Sequence, residues 1–510
     1  MSFAARATFA GRWRSAVDNL GDRPFLTFED AAGRTTSWTY SEFDQLVASV
    51  AAALAARGLR PGSCVHLALA NSPAFVAIWL AATQLRAWIV PSDPAATAAE
   101  LAEHIKRTSP VVGVCAAERA AIYREGAGGG PEIVVVDEAD PGVDGLRADP
   151  SLWPLPHPAP GERAAVMFTS GTTSAPKGVV VTQANYAFAG DVMAVAAGLT
   201  THDRQLVVLP MFHANAQYYS FAAAISVGAS VALMHAFSAS GFLAQAARHE
   251  ATHASLFAAP MRMILARSGT RVDGVRLRHC WYAQNITADQ YAELSRLLGC
   301  RPRQLYGMTE TIPAVLTNRA VDPIHDSMGY PTLGCQVDLR RQGFDEPVPD
   351  GEVGEIVVGG DPGISLFAEY LDDPATTSRS FIGGWLRTGD LAVRDAEGRF
   401  AFAGRRSDVL KVAGENVSVV EVEAVLAEHP SVLEAAVIGE PDEIRDEVPV
   451  GFVVQQPGRP PLTEAELLAW CEQRLSKAKR PRRVDIVDEL PRTSVGKIRK
   501  FLLRQGAGTT

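Results

Sequence analysis

Short apolar runs alternate with helix-forming segments through most of this chain, and that alternation restricts the fold more than any other feature. Val65 to Leu69, Trp88 to Val90 and Val111 to Cys115 read as strands, with Ala74 to Leu85 and Ala98 to Lys106 as helices between them. The pattern resumes at Ala164 and runs to Leu305. Strand–helix–strand order predicts parallel sheets covered by helices, because a parallel strand needs a long crossover to return to its starting edge. Thr39 and Glu42 make a capping box that opens a helix. Its Phe43, Leu46, Val47, Val50 and Leu54 recur on one face, and Gly58 and Pro61 stop it.

At 510 residues the chain is too long for one core. Near Gly334 the texture changes: Val337 to Arg340, Glu355 to Val358 and Phe400 to Phe402 are short alternating strands with tight turns. After Gly404 comes a compact α+β segment with a helix capped by Ser418 and Glu421. The expected fold class is α/β. A large N-terminal domain, 1–403, holds α/β subdomains with parallel sheets plus a small antiparallel β-barrel; a break follows at 404–408, then a small C-terminal α+β domain, 409–510.

Composition excludes several classes of function. A net charge of −9 argues against nucleic-acid binding, which needs a basic footprint. The six cysteines are scattered without a C-x-x-C pair, which predicts reduced thiols in a cytoplasmic protein and no structural zinc. Met1 to Arg14 carries arginines but no apolar h-region, so no secretory signal is expected. The apolar tracts near 74–91 and 221–237 are interrupted by Gln84 and Arg86, and by Ser, Gly and His. They predict buried helices and strands, with no membrane span.

Residues 169 to 178 read Thr-Ser-Gly-Thr-Thr-Ser-Ala-Pro-Lys-Gly, between two strand-like runs. Such a stretch builds no core. Glycines let backbone N–H groups turn inward, hydroxyls donate and a lysine adds a point charge, which together suit phosphate. It lacks the G-x-x-x-x-G-K-[ST] spacing of phosphate-loop NTPases, and a polar surface loop accounts for it equally well when it is taken alone.

Further elements in order decide between the two. The loop resembles the signature of the AMP-forming adenylating superfamily of acyl-CoA synthetases, amino-acid adenylation domains and beetle luciferases. Tyr306-Gly307-Met308-Thr309-Glu310 is similar to that family's Tyr-Gly-x-Thr-Glu element, and Thr388-Gly389-Asp390 to its Thr-Gly-Asp. Gly404-Arg405 with Asp408, Lys411 and Gly414 resembles its hinge segment, and Pro491-Arg492-Thr493 with Gly496-Lys497 its C-terminal lysine motif.

The resemblance implies an ATP-dependent acyl-CoA ligase. It would join a carboxylic acid to the α-phosphate of ATP, release pyrophosphate and pass the acyl group to coenzyme A. It implies that Thr169, Ser170, Gly171, Thr172, Thr173 and Lys177 cradle phosphates, that Thr309 contacts phosphate and that Glu310 is the Mg²⁺ ligand. It places Ala283, Gln284, Asn285, Tyr306 and Gly307 around AMP, with Tyr306 stacked on adenine and Asp390 on the ribose hydroxyls near Arg405. Lys497 would bridge carboxylate and α-phosphate, and Gly414, Glu415 and Asn416 would line the thiol tunnel. The C-terminal domain would then be mobile, presenting Lys497 for one half-reaction and the Gly414 side for the other.

Departures narrow the reading. Trp281-Tyr282-Ala283-Gln284-Asn285 replaces the family's usual Gly-rich adenine-side segment and, with Met308 to Ile312, resembles carnitine–CoA ligases. Ser407 stands at the hinge position that is commonly Asp or Lys. Residues 211–219 contain no acid to hold an α-ammonium, which disfavours an amino-acid substrate. The expected acyl pocket is Phe212, His213, Asn215, Tyr218, Trp281, Tyr282, Met308 and Ile312, whose aromatics suit a quaternary ammonium or a bulky apolar acid. The Ala-, Arg- and Gly-rich character also resembles ligases of antibiotic pathways, including the platensimycin type. A carrier protein in place of coenzyme A, a homodimer, and a non-catalytic nucleotide-binding relative remain as alternatives.

Overall fold

The computed structural model describes residues 7–150, 157–169, 176–405, 409–412, 415–442, 445–492, 498–500 and 502–503, with no side-chain description for 409, 411, 415 and 416. Among the expected site residues, Ser170, Gly171, Thr172, Thr173, Gly414 and Lys497 lie outside the described residues, as do Ser407 and Asp408 of the hinge segment.

The alternation resolves into two large sheets. A six-stranded sheet runs Glu132–Val136, Val112–Ala116, Cys64–Ala68, Trp88–Pro91, Arg163–Thr169 and Lys177–Thr182. All of its pairs are parallel except the last, which is an antiparallel hairpin. A nine-stranded sheet has a parallel centre of Arg303–Tyr306, His279–Ala283, His253–Phe257, Arg204–Val207, Ser230–Met234 and Pro24–Glu29. Its edges are antiparallel: Thr35–Thr39 on one side, Leu316–Thr317 and Tyr330–Pro331 on the other.

The helix Pro73–Gln84 is buried along its whole length, as a helix apolar on every face must be. It packs on the helix Tyr40–Ala56, whose capping box is formed as expected: the Thr39 side chain accepts from the Glu42 amide, and Glu42 accepts from the Thr39 amide. Phe43, Leu46, Val47, Val50 and Leu54 all enter one core that spans both sheets. Among the described residues no helix is long and apolar enough to cross a membrane.

Beyond Gly334 the expected antiparallel unit is a curled five-stranded sheet. Trp385–Arg394 pairs with Val353–Gly359 on one side and with both Phe381–Ile382 and Phe400–Arg405 on the other. A fourth sheet, built from Val409–Val412, Glu415–Ser418, Val432–Asp442, Asp446–Gln455 and Val484–Val487, carries its own core around Val422, Leu426 and Val453.

One expected cap differs. The helix Val419–Ala427 begins after Ser418 without a side-chain cap. The Ser418 hydroxyl donates to the Ala403 carbonyl at 3.4 Å instead, and Glu421 pairs with Lys479 at 2.7 Å. Tertiary partners here outcompete the local bond.

Candidate functional site

Parallel strands that start at one edge end at the other, and in α/β sheets ligands bind outside the carboxyl ends. Ala283, Gln284 and Asn285 leave the end of the strand His279–Ala283, and Gly307, Met308 and Thr309 leave the neighbouring strand Arg303–Tyr306. Residues 208–215 follow the strand Arg204–Val207 at the same edge.

Backbone strain collects there. Gln284 has φ +74, and Ile312, immediately before Pro313, has φ +69 and ψ −79, an outlier conformation for a β-branched residue. Such conformations persist where the surroundings over-determine them, commonly at functional sites. Gly307 has no alternative: a Cβ there would stand 2.8 Å from the Tyr219 hydroxyl and 3.0 Å from the Pro313 carbonyl oxygen.

Two groups of side chains converge on this edge. In the first, Lys177 opens the return strand of the hairpin opposite Thr169. Its ammonium sits 4.8 Å from the centroid of the Tyr370 ring. The Tyr370 hydroxyl donates to Glu310 Oε1 at 2.9 Å, and the Phe367 amide donates to the Glu310 carbonyl at 2.9 Å. Glu310 is only 4% exposed. Burial, and then the Glu310 carboxylate, push the Tyr370 phenol far above its ordinary value, so it stays a donor. One tyrosine thus links a cation and a buried carboxylate. Thr309–Thr311 forms a single 3₁₀ turn that aims Glu310 inward, closed by the Met308 amide on the Thr311 hydroxyl at 3.0 Å.

In the second group Asp390, 5% exposed, accepts from the Tyr306 hydroxyl at 2.7 Å and pairs with Arg405 at 2.9 Å. Asp390 and Arg405 are cross-strand partners in the curled sheet, which fixes their approach. Arg107 supports the loop's exit: its guanidinium donates to the Pro176 carbonyl at 2.5 Å and lies over Phe168.

The expected acyl-pocket residues do not all face one space. Phe212 and His213 lie ring to ring at 4.2 Å, and Asn215 opens a π-helix, Asn215–Ala222. Asn215 is 5% exposed, and neither of its amide atoms has a partner among the described residues. An amide left so costs about 1–3 kcal/mol, which a bound polar group would relieve. Trp281 enters the main core, whereas Tyr282, one residue on, points to the opposite face and donates to the His325 carbonyl at 2.7 Å. Strand alternation keeps the two out of a common pocket. Tyr218 is fully buried against Tyr186, with its hydroxyl on Met167 Sδ at 3.7 Å.

Tyr370 and the contact between the fourth sheet and the large sheets were not anticipated from the sequence. Arg262 donates to the Asn285 carbonyl at 2.9 Å and pairs at 3.1 Å with Glu434, on the first long strand of the fourth sheet. Glu434 also pairs with Arg492 of the Pro491-Arg492 motif. Residues bonded at such sequence separations carry no local signal.

The chain is similar to known proteins over nearly its whole length. The AMP-binding enzyme family profile matches residues 13–371, and that of the AMP-binding enzyme C-terminal domain matches 421–497. The chain is 33% identical over 504 residues to a crotonobetaine/carnitine–CoA ligase of Escherichia coli O7:K1 (strain IAI39 / ExPEC), covering 95% of this chain and 96% of that one. Among solved structures it is similar to the anthranilate CoA ligase AuaEII in complex with anthranoyl-AMP (TM-score 0.90, 26% identity, 99% and 98% of the two chains). It is also similar to ATP-bound MatB from Rhodopseudomonas palustris (TM-score 0.88, 26% identity, 98% and 99%).

Proposed function

The chain belongs to the AMP-binding enzyme family, and from that premise we infer that it is an ATP-dependent acyl-CoA ligase. It converts a carboxylic acid and ATP to an acyl adenylate and pyrophosphate, then transfers the acyl group to coenzyme A with release of AMP. The observation that carries the reading is the Lys177–Tyr370–Glu310 chain beside the Tyr306–Asp390–Arg405 group. The first suits the triphosphate and the second the nucleoside. Relatives described as CoA ligases, one of them holding an acyl-AMP, support both half-reactions.

Two anions meet in the first step, so the chain must supply charge and donors where the pentavalent phosphorus develops. Lys177 and the hydroxyls of Thr169 to Thr173 hold the β- and γ-phosphates. Thr309 donates to phosphate. Asp390 accepts from the ribose hydroxyls, with Arg405 balancing its charge. Tyr306 flanks adenine beside Ala283, Gln284, Asn285 and Gly307. Lys497 neutralises the attacking carboxylate and the α-phosphate.

Magnesium fits the donor set. Among the described residues no group of three or more His, Cys, Asp or Glu forms a cage, and Glu310 is a single buried carboxylate. Mg²⁺ usually binds through one or two carboxylates together with substrate phosphates and water. Bound through Glu310, it would neutralise phosphate charge.

The acid lies against Phe212, His213, Asn215, Trp281, Met308 and Ile312. With no carboxylate between residues 211 and 219, it lacks a free α-amine. The test is acid-dependent ATP–pyrophosphate exchange across a library of carboxylic acids, with coenzyme A then added and products weighed. Exchange with at least one acid, followed by its CoA thioester, is expected. Absence of exchange with every acid, or exchange confined to α-amino acids, contradicts the reading.

A further inference from the structure

At the opposite end of the same parallel strands lies a polar pocket. His253, His279 and Arg303 are the first residues of three neighbouring strands. They are 1%, 5% and 8% exposed. With Arg278, Arg301 and Asp322 they line a pocket of ≈ 400 Å³. A strand of five residues spans about 13 Å between its first and last Cα, so this pocket is separate from the nucleotide edge.

The pocket is rich in donors. Arg303 gives its Nε and Nη2 to the Asn318 carbonyl at 3.0 and 2.6 Å, and its Nη1 to the Ala196 carbonyl at 2.9 Å. Among the described residues no carboxylate pairs with it. Arg278 pairs with Asp203, and Arg301 with Asp322 at 2.8 Å, which leaves three guanidiniums against two carboxylates. His279 Nδ1 faces Arg303 Nη1 at 3.5 Å and must accept there, because guanidinium only donates. The ring proton then sits on Nε2, which is buried without a partner among the described residues. Burial pushes His279 well below its ordinary pKa, so the ring is neutral and Nε2–H is a fixed donor. His253 differs: its two nitrogens already meet the Thr252 hydroxyl at 2.8 Å and the Ala197 carbonyl at 3.3 Å.

A buried donor without an acceptor beside an arginine without a carboxylate is costly unless an acceptor-rich anion completes it. We propose that this pocket is a second anion site, which binds a phosphate-class tetrahedral oxyanion between Arg303, His279 Nε2 and the guanidiniums of Arg278 and Arg301. The helix Gln183–Ala197 ends here, and Arg303 covers its Ala196 carbonyl while His253 meets that of Ala197, which partly screens the negative end of the helix from the anion.

The test follows the histidine ring ¹⁵N resonances while inorganic phosphate is titrated in, with His279 assigned through His279→Gln. A saturable shift of His279 Nε2 that persists when AMP is added is expected. Arg301→Gln should weaken phosphate at this site roughly tenfold, the loss of one charge-assisted bond. Asp322→Asn, which removes the opposing carboxylate and frees Arg301, should tighten it. Both should retain acid-dependent pyrophosphate exchange. A saturable His279 shift produced by coenzyme A without inorganic phosphate identifies its phosphate as the source of the anion; a response to inorganic phosphate alone identifies a free anion. No shift of His279, or affinity equal in both variants, overturns the proposal.

Discussion

Tyr370→Phe isolates one bond at the centre of the site. The ring stays, so the platform 4.8 Å from the Lys177 ammonium stays, but the hydroxyl that donates to Glu310 Oε1 at 2.9 Å is lost. A hydrogen bond to a charged group contributes about 1.5–3 kcal/mol, and Glu310 has little water to replace it at 4% exposure. If that bond holds the carboxylate for the triphosphate, adenylation should slow by about one to two decades. Tyr370→Ala should lose more, because it also removes the cation–π contact of about 0.5–2 kcal/mol. The assay is pyrophosphate exchange at saturating acid, with thermal unfolding run alongside to separate catalysis from folding. Exchange by Tyr370→Phe within about twofold of the parent enzyme would refute the role given to this link.

Lys497→Ala should abolish acid-dependent pyrophosphate release, by about 10²-fold or more, yet still convert a supplied acyl adenylate to its CoA thioester; a bulky residue at Gly414 should do the reverse, and failure of both in one step would refute the division of labour. Glu434→Gln breaks the contact that ties Arg492 to Arg262; adenylation should fall about tenfold or more while thioester formation from supplied adenylate is kept, and equal losses in both steps contradict a role in orientation. His66 is wholly buried on the Tyr123 and Ser92 hydroxyls, and burial pulls its pKa down to about 3 from 6.5. The unfolded chain takes up that proton first, so stability is full above the unfolded value and falls by about 1.4 kcal/mol per pH unit as pH drops towards the folded one; His66→Gln should flatten this slope by one proton, and an unchanged slope contradicts it.

What the sequence shows and hides follows from the range of each interaction. Thr39 and Glu42 are three residues apart, and their mutual bonds form as read. Ser418 and Glu421 have the same spacing, but Ala403 and Lys479 take their side chains, and nothing within four residues records that. The approach of Asp390 to Arg405 was legible only as two motifs in order, and the strand pairing between them supplies the geometry. Tyr370 meets Glu310 across 60 positions, and Arg262 meets Glu434 across 172, so no local pattern announces either. Tyr282 is different: its separation from Trp281 follows from the two-residue period of a strand, a signal present in the sequence but outweighed by the aromatic content of the segment.

The most direct measurement follows oxygen. An acid that supports exchange is labelled with ¹⁸O in its carboxylate and turned over once with ATP and coenzyme A. Attack of that carboxylate on the α-phosphorus leaves one labelled oxygen in the phosphate of AMP after the thiol displaces it. Label in AMP, with unlabelled pyrophosphate, is the expected result. Label in inorganic phosphate with ADP as the nucleotide product would mean an acyl phosphate, and an enzyme of a different chemistry.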